Sequence, residues 1–202
     1  MKHGNEPAWK RLFGDVQTAP VSDAWEAAKA LTKHRSQNCG DALIALMLRR
    51  DAPERSEIAA YVLSWMSLRR SPVGAFLVCL SDRQQNEAVR GQAAEGIGLR
   101  FMCDRRRTRE RSRAEAALIR NLDDSSATVR FWCCYALGTL RSARSIPRLE
   151  HLRDHDTAVA PGWWYVHEEA TEALAWINET GTPNNKVSVH LRRADAEPEL
   201  TR

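Results

Sequence analysis

Residues 121–149, NLDDSSATVRFWCCYALGTLRSARSIPRL, decide the fold of this chain. Counting from Val129, a small residue follows at +4 (Cys133), a branched aliphatic residue at +8 (Leu137) and a glycine at +9 (Gly138). Positions 0, +4 and +8 lie on one side of a helix with 3.6 residues per turn. The pattern predicts a helix whose buried side approaches a neighbouring helix closely, because its central position is small.

The same pattern recurs three more times without gaps. The four segments are RSEIAAYVLSW (55–65), VRGQAAEGIGL (89–99), VRFWCCYALGT (129–139) and VHEEATEALAW (166–176). Their starts are 34, 40 and 37 residues apart, which is the spacing of helical repeats.

An apolar segment precedes each of these helices and predicts the first helix of a pair. These segments are DALIALMLRR (41–50), PVGAFLVCLSD (72–82), AEAALIRNLDD (114–124) and IPRLEHLRDHD (146–156). An earlier pair is predicted at PAWKRLFG (7–14) and SDAWEAAKALTKH (22–34). One helical hairpin cannot bury its apolar face alone, so the pairs must stack. The sequence therefore predicts an all-α protein, an α-solenoid of about five stacked antiparallel helix pairs. We expect one domain over residues 1–180, followed by a polar cap or tail over 181–202.

Composition excludes several classes of protein. Hydrophobic residues make up 43% and charged residues 28% of the 202 residues, which is typical of a globular protein. The net charge of +4 is too small to indicate a nucleic-acid partner by itself. No apolar stretch approaches the roughly 20 residues of a membrane-spanning helix, and no secretory signal is evident at the N-terminus. The five cysteines are scattered, without a C-x-x-C pair, so we expect buried thiols in a cytoplasmic protein.

The segment around Val129 resembles the HEAT-like repeats of bacterial scaffold proteins and of the phycobilin-lyase family. In those repeats a Leu-x-Asp turn precedes Val-Arg, a run of small residues and Ala-Leu-Gly, and residues 115–150 match best. The resemblance implies that the second helices line the concave face of the solenoid. It implies little about function, because such repeats serve scaffolds, inhibitors and a few enzymes.

No local motif indicates catalysis. His167-Glu168 resembles the His-Glu pairs that hold iron in HEAT-like deoxyhypusine hydroxylases, but the other repeats lack the pair, and two ligands do not complete a metal site. The alternative is that position +1 of each repeat, where His167 lies, is simply polar. Arg90 and Arg130 occupy the same position, and we predict that Asp82 bonds to Arg90 and Asp124 to Arg130 across the turn before the helix. We predict no catalytic residue, no metal ligand and no cofactor.

Six arginines crowd one stretch between two repeats, RRRTRERSR (105–113): Arg105, Arg106, Arg107, Arg109, Arg111 and Arg113. The stretch is either a solvated connector or the start of a helix. Such a cluster also suits phosphates or an acidic protein surface.

Positions +3, +6 and +10 form a second stripe along these helices, about 90° from the buried side. Its polar and aromatic members are the predicted partner-binding residues: Tyr61, Trp65, Gln92, Glu95, Trp132, Tyr135, Glu169, Glu172 and Trp176. Tryptophan and tyrosine are frequent binding hot spots. The competing hypothesis is that these rings pack between neighbouring second helices. Trp163-Trp164-Tyr165, after an insertion that the other repeats lack, predict either a cap on the open end of the solenoid or an exposed clamp.

The sequence favours a non-catalytic module that binds another protein on its concave face, either an adaptor or a stoichiometric inhibitor such as an immunity protein. One alternative is a nucleic-acid-binding protein that uses the Arg105–Arg113 loop. A third is a metal- or chromophore-handling enzyme on the same scaffold.

Overall fold

The computed structural model describes residues 7–104 and 106–178. The regular structure of this part of the chain is helical, apart from one isolated β-bridge between Val159 and Tyr165. Its ten α-helices are α1 Ala8–Thr18, α2 Val21–Leu31, α3 Gln37–Met47, α4 Pro53–Trp65, α5 Val73–Ser81, α6 Glu87–Phe101, α7 Arg109–Asn121, α8 Ala127–Thr139, α9 Ile146–His155 and α10 Val166–Asn178, with a short 3₁₀ turn at Ala143–Ser145. The predicted tail over 181–202 lies outside the described residues.

Helix starts follow from local chemistry. The side chains of Ser36, Asn86 and Thr108 accept hydrogen bonds from backbone N–H groups of the first turns of α3, α6 and α7. Pro53 and Pro147 lie in the first turns of α4 and α9. Proline lacks an N–H, which costs nothing there because N–H groups of the first turn have no hydrogen-bond partner inside the helix.

The helices pair and stack as predicted. Consecutive helices form five pairs, and the second helices α2, α4, α6, α8 and α10 pack against one another in that order. They form a continuous layer, with the first helices on its other side. One cluster of buried side chains runs from Val16 to Leu174. The predicted all-α solenoid of five helix pairs is confirmed.

Two glycines set the distance between second helices. A Cβ atom on Gly98 would lie 2.9 Å from Ala136 Cα, and one on Gly138 would lie 2.9 Å from Ala173 Cα. Both obstacles are backbone atoms of the next second helix. The small residue at +9 is therefore required where α6 meets α8 and where α8 meets α10.

A ladder of ion pairs links neighbouring repeats along the turns inside each helix pair. Arg50 pairs with Asp82 at 2.8 Å, Arg90 pairs with Asp124, and Arg130 pairs with Asp156 at 2.7 Å. Each aspartate also accepts a hydrogen bond from the backbone N–H two residues later.

This ladder corrects the predicted bonding within one turn. Arg90 reaches Asp124 of the next repeat rather than Asp82, which Arg50 occupies. Arg130 does meet Asp124, but only at its main-chain carbonyl, 2.7 Å away, while its carboxylate partner is Asp156. A pattern within one repeat cannot distinguish the aspartate of the same turn from that of the next repeat, because the turns of neighbouring repeats are adjacent in space.

None of the helices within 7–104 and 106–178 combines the length and the apolar character needed to cross a bilayer.

Candidate partner-binding face

The nine predicted partner-binding residues lie on four consecutive second helices, α4, α6, α8 and α10. We call this set the aromatic–acidic face. Its members differ in exposure: Trp132, Tyr135 and Glu169 are buried, Tyr61, Gln92, Glu95 and Trp176 are half-buried, and Trp65 and Glu172 are exposed.

A row of aromatic rings runs along this face. Trp132 lies 4.9 Å from Trp163 and 5.5 Å from Tyr135 between ring centroids, and Tyr135 lies 5.8 Å from Trp176. The Trp132 indole also covers Gly91 of α6, where a Cβ atom would lie 2.7 Å from its Cδ1 atom. These two buried rings of α8 therefore pack between repeats, which is the second of the two hypotheses for the stripe.

The rings of α4 are more accessible. Trp65, at the end of the helix, is 51% exposed. Tyr61 is half-buried, with its ring edge against Trp25 at a centroid distance of 5.2 Å. The stripe is thus packed at α8 and open at α4, since α8 is covered by the aromatic residues that follow α9.

Two carboxyl groups border Tyr135, and among the described residues no cation contributes to the pKa shift of either one. Burial raises the pKa of Glu95 to about 7, although a hydrogen bond from the Gln92 amide partly offsets this. Burial, followed by the nearby Glu172, raises the pKa of Glu169 to about 8, despite a hydrogen bond with Trp164. Glu169 is 1% exposed, and its Oε2 atom accepts no hydrogen bond from the described part of the chain. Burial and these two carboxylates also raise the pKa of Tyr135.

Replacing Glu169 by glutamine should stabilise the protein more at alkaline pH than at acid pH. A buried carboxyl with a raised pKa is neutral in the folded protein at low pH, but at high pH it must carry a charge there. The loss of stability that it causes therefore grows as the pH rises from the pKa of the unfolded chain to about 8. The unfolding free energy of the Glu169→Gln variant minus that of wild type should be about 2–4 kcal/mol larger at about pH 8.5 than at about pH 5. Urea unfolding at both pH values measures this. Glu168→Gln, at the exposed neighbour, is the control, and an equal gain at both pH values would contradict the assignment.

The insertion before α10 joins the aromatic row. Trp163 and Trp164 lie 5.9 Å and 5.2 Å from the Phe131 ring, so they pack back onto the preceding repeat. Trp163 remains 37% exposed and Tyr165 45% exposed. The insertion therefore covers α8 with Trp163 and Trp164 and leaves Trp163 and Tyr165 partly exposed, so it combines features of the predicted cap and of the predicted exposed clamp. Trp163 joins the aromatic row through its contact with Trp132, although it was not among the nine predicted partner-binding residues.

The predicted arginine cluster divides between a connector and a helix. Arg105 lies outside the described residues, and Arg106 pairs with Asp104 at 2.9 Å. Arg107 is exposed in the connector, whereas Arg109, Arg111 and Arg113 belong to α7. The cluster is therefore a loop only up to Thr108, because the Thr108 side chain caps the helix that follows.

Arg111 is held on the protein by its own hydrogen bonds. It donates to the main-chain carbonyls of Asp104 and Leu140, and its guanidinium lies 5.7 Å from the Phe101 ring centroid. Beside it a cavity of about 360 Å³ opens between the ends of α6 and α8 and the start of α7.

The remaining candidate residues have structural partners. His167 Nδ1 lies 3.0 Å from the main-chain oxygen of Asp156, which fits the predicted polar position in the turn. Cys133 and Cys134 are buried, and burial raises the pKa of both thiols. Within the described ranges, no three His, Cys, Asp or Glu side chains are grouped as metal ligands would be.

Comparison with known proteins identifies a repeat family. A family model described as HEAT repeats matches residues 74–175. No curated protein sequence matches the chain.

Solved structures share the fold at low identity. A structure of the complex of CpcE and CpcF of phycocyanin lyase from Nostoc sp. PCC7120 matches with a TM-score of 0.66 and 16% identity, covering 83% of this chain and 98% of that one. A designed armadillo repeat protein in complex with the peptide (KR)4 matches with a TM-score of 0.54 and 17% identity, covering 85% and 82%. An engineered protein matches with a TM-score of 0.50 and 16% identity, covering 92% and 94%.

Proposed function

Because the chain belongs to the HEAT-repeat family, we propose that it is a non-catalytic binding module that holds a lysine- or arginine-bearing segment of another protein on its aromatic–acidic face. The family's stacked helices supply a continuous layer of second helices, and a segment lying across them meets one helix per repeat. The observation that carries the proposal is that Glu95, which lies close enough to Tyr135 to raise its pKa, has no cationic partner among the described residues.

The chemistry of this face favours a cation. A carboxyl whose ionisation is disfavoured by burial is stabilised in its charged form by an opposite charge within a few ångströms. Tyrosine and tryptophan rings attract ammonium and guanidinium groups over their faces. Glu95 is half-buried and Glu172 exposed, so both are within reach of a partner, whereas Glu169 is only 1% exposed.

Exposed aromatic side chains supply the anchors. Trp65 at one end of the face and Trp163 at the other are tryptophans with a third or more of their surface in solvent. Partly exposed tryptophans contribute much of the binding energy at protein interfaces when a partner covers them. The designed armadillo repeat protein that shares this fold holds a peptide of alternating lysine and arginine, which is the kind of segment we propose here.

We propose further that the protein acts by binding alone, as an adaptor or a stoichiometric inhibitor, since either role needs only a rigid surface. The likeness to the phycocyanin lyase subunits is at 16% identity and supports the fold, not a lyase activity. Free thiols at all five cysteines support a cytoplasmic setting.

A tagged purification from the protein's own cells tests this function. A double variant, Trp65→Ala with Glu172→Gln, removes two exposed groups of the face and should lose the co-purifying protein. The control is Val78→Ala, because Val78 is 59% exposed on the first helix α5. We expect a partner at near one-to-one stoichiometry with wild type and the control. A partner retained equally by the double variant would contradict the proposed face.

A further inference from the structure

Three arginines form a row along α7, the first helix of the fourth pair. Arg109, Arg113 and Arg120 are all exposed. An α-helix turns about 100° and rises about 1.5 Å per residue, so the three side chains start within about 40° of one another and span about 16 Å of the helix axis. We call these three residues the arginine row. The buried side of α7 is centred about 110° away from the row and consists of Ala114, Ala117, Leu118 and Asn121.

The described part of the chain does not neutralise the arginine row. None of its three guanidinium groups has a hydrogen-bond or ion-pair partner among the described residues. Three carboxylates on or next to α7 are each engaged by another arginine, in the pairs Asp104–Arg106, Glu115–Arg144 and Asp123–Arg148. Glu110, in the first turn, is the remaining carboxylate of α7. Three exposed cations therefore stand against one anion along this helix.

The excess positive charge of the protein is concentrated in the same stretch. Residues 105–121 contain seven arginines and two glutamates, a net charge of +5, whereas the whole chain carries +4. The rest of the chain therefore carries −1. A charge asymmetry of this kind is typical of proteins that bind a polyanion. The carboxylates of the aromatic–acidic face lie on second helices, so α7 is the part of the protein that attracts such a partner.

We propose that the arginine row binds the phosphate backbone of double-stranded DNA without reading its base sequence. Arginine donates paired N–H groups to phosphate oxygens. A duplex carries one negative charge per ~1.7 Å of its axis, so a row about 16 Å long meets several phosphates. Contacts of this kind position a protein on DNA but carry no sequence information. The site is separate from the aromatic–acidic face.

The exposed surface of α7 lacks the side chains that other partners require. Single strands and RNA loops are held by bases stacked on aromatic rings, and protein partners by aromatic or aliphatic anchors. A membrane surface takes up apolar side chains. None of the exposed large apolar side chains of the described residues belongs to α7. Duplex DNA can be bound through charge without such groups, so it is the partner that this helix surface fits best.

Removing the row should abolish most of the DNA binding and its salt dependence. We expect the triple variant Arg109→Ala, Arg113→Ala, Arg120→Ala to bind a duplex at least about tenfold more weakly than wild type at about 50 mM NaCl. Three phosphate contacts give wild type a slope of about −3 in log K against log [NaCl], and the slope of the variant should be flatter by at least about 2.

The control variant loses the same charge elsewhere on the protein. It replaces three exposed arginines that also lack a partner among the described residues, by the substitutions Arg11→Ala, Arg35→Ala and Arg69→Ala. We expect it to bind the duplex within about threefold of wild type, because these charges are not in contact with the DNA. The variant Arg109→Lys, Arg113→Lys, Arg120→Lys keeps the charges of the row and should also bind within about threefold.

Fluorescence anisotropy of a labelled DNA duplex of about 20 base pairs, titrated with the purified full chain between about 50 and about 200 mM NaCl, measures these affinities. Alanine is favourable in a helix, so the row variant should fold, and circular dichroism checks this. Absence of duplex binding at the lowest salt, or equal losses in the two alanine variants, would overturn the site. Tighter binding of a single strand, an RNA duplex or polyglutamate than of the DNA duplex would also overturn it, by assigning the row to that partner.

Discussion

Replacing Asp124 by alanine should cost about 3–5 kcal/mol of unfolding free energy, because it leaves the buried Arg90 guanidinium without its counter-charge. Asp124 is 2% exposed, forms an ion pair with Arg90 of the preceding repeat and also lies 2.9 Å from Arg83. Burial raises the pKa of its carboxyl, but hydrogen bonds and the charges of both arginines outweigh burial and lower it overall. Chemical denaturation measured against wild type checks the size of the loss.

The adjacent residue provides the control. Asp123 is exposed and pairs with Arg148, which is also exposed. Exposed ion pairs contribute little, so Asp123→Ala should change the unfolding free energy by less than about 1 kcal/mol. Similar losses for the two variants would mean that the ladder does not connect the repeats as the structure shows. The Asp124 carboxylate has a lowered pKa, so its stabilising effect is present at neutral pH and is lost as pH falls below its ordinary range.

The Trp132→Ala substitution should also cost about 3–5 kcal/mol, whereas Trp65→Ala should cost less than about 1 kcal/mol. Trp132 is 7% exposed and fills the space between Gly91, Tyr135 and Trp163, so its removal leaves a cavity that the helices cannot close. Trp65 is 51% exposed and mostly faces solvent. Thermal or urea unfolding of the two variants compares them directly. Equal losses would contradict the burial that the structure assigns to the two halves of the stripe.

Much of the fold was accessible from sequence because one helical pattern repeats. Small residues at +4 and +9 and aliphatic residues at +8 recur in four segments, and each recurrence requires another helix to pack against. The partners of Arg90 and Arg130 were not accessible in the same way. Their choice between the aspartate of their own turn and that of the next depends on the rise from repeat to repeat, which no local pattern encodes.

The candidate site was accessible only in part. Periodicity placed Trp65 and Trp132 on the same stripe, yet one is open and the other packed. The difference arises from Trp163, which lies in an insertion that breaks the repeat and folds back onto α8.

The most direct test of the central claim is an equilibrium titration of the purified protein with the peptide (KR)4, followed by calorimetry at about pH 8 and about pH 6. We predict saturable one-to-one binding that weakens at the lower pH, because Glu95, with a pKa of about 7, becomes neutral there. A Glu95→Gln and Glu172→Gln variant should bind about tenfold or more weakly, while a control with Glu150→Gln on α9 should bind as wild type does. Failure of the peptide to bind, or equal binding by the double variant, would contradict the assignment of the aromatic–acidic face as a site for cationic segments.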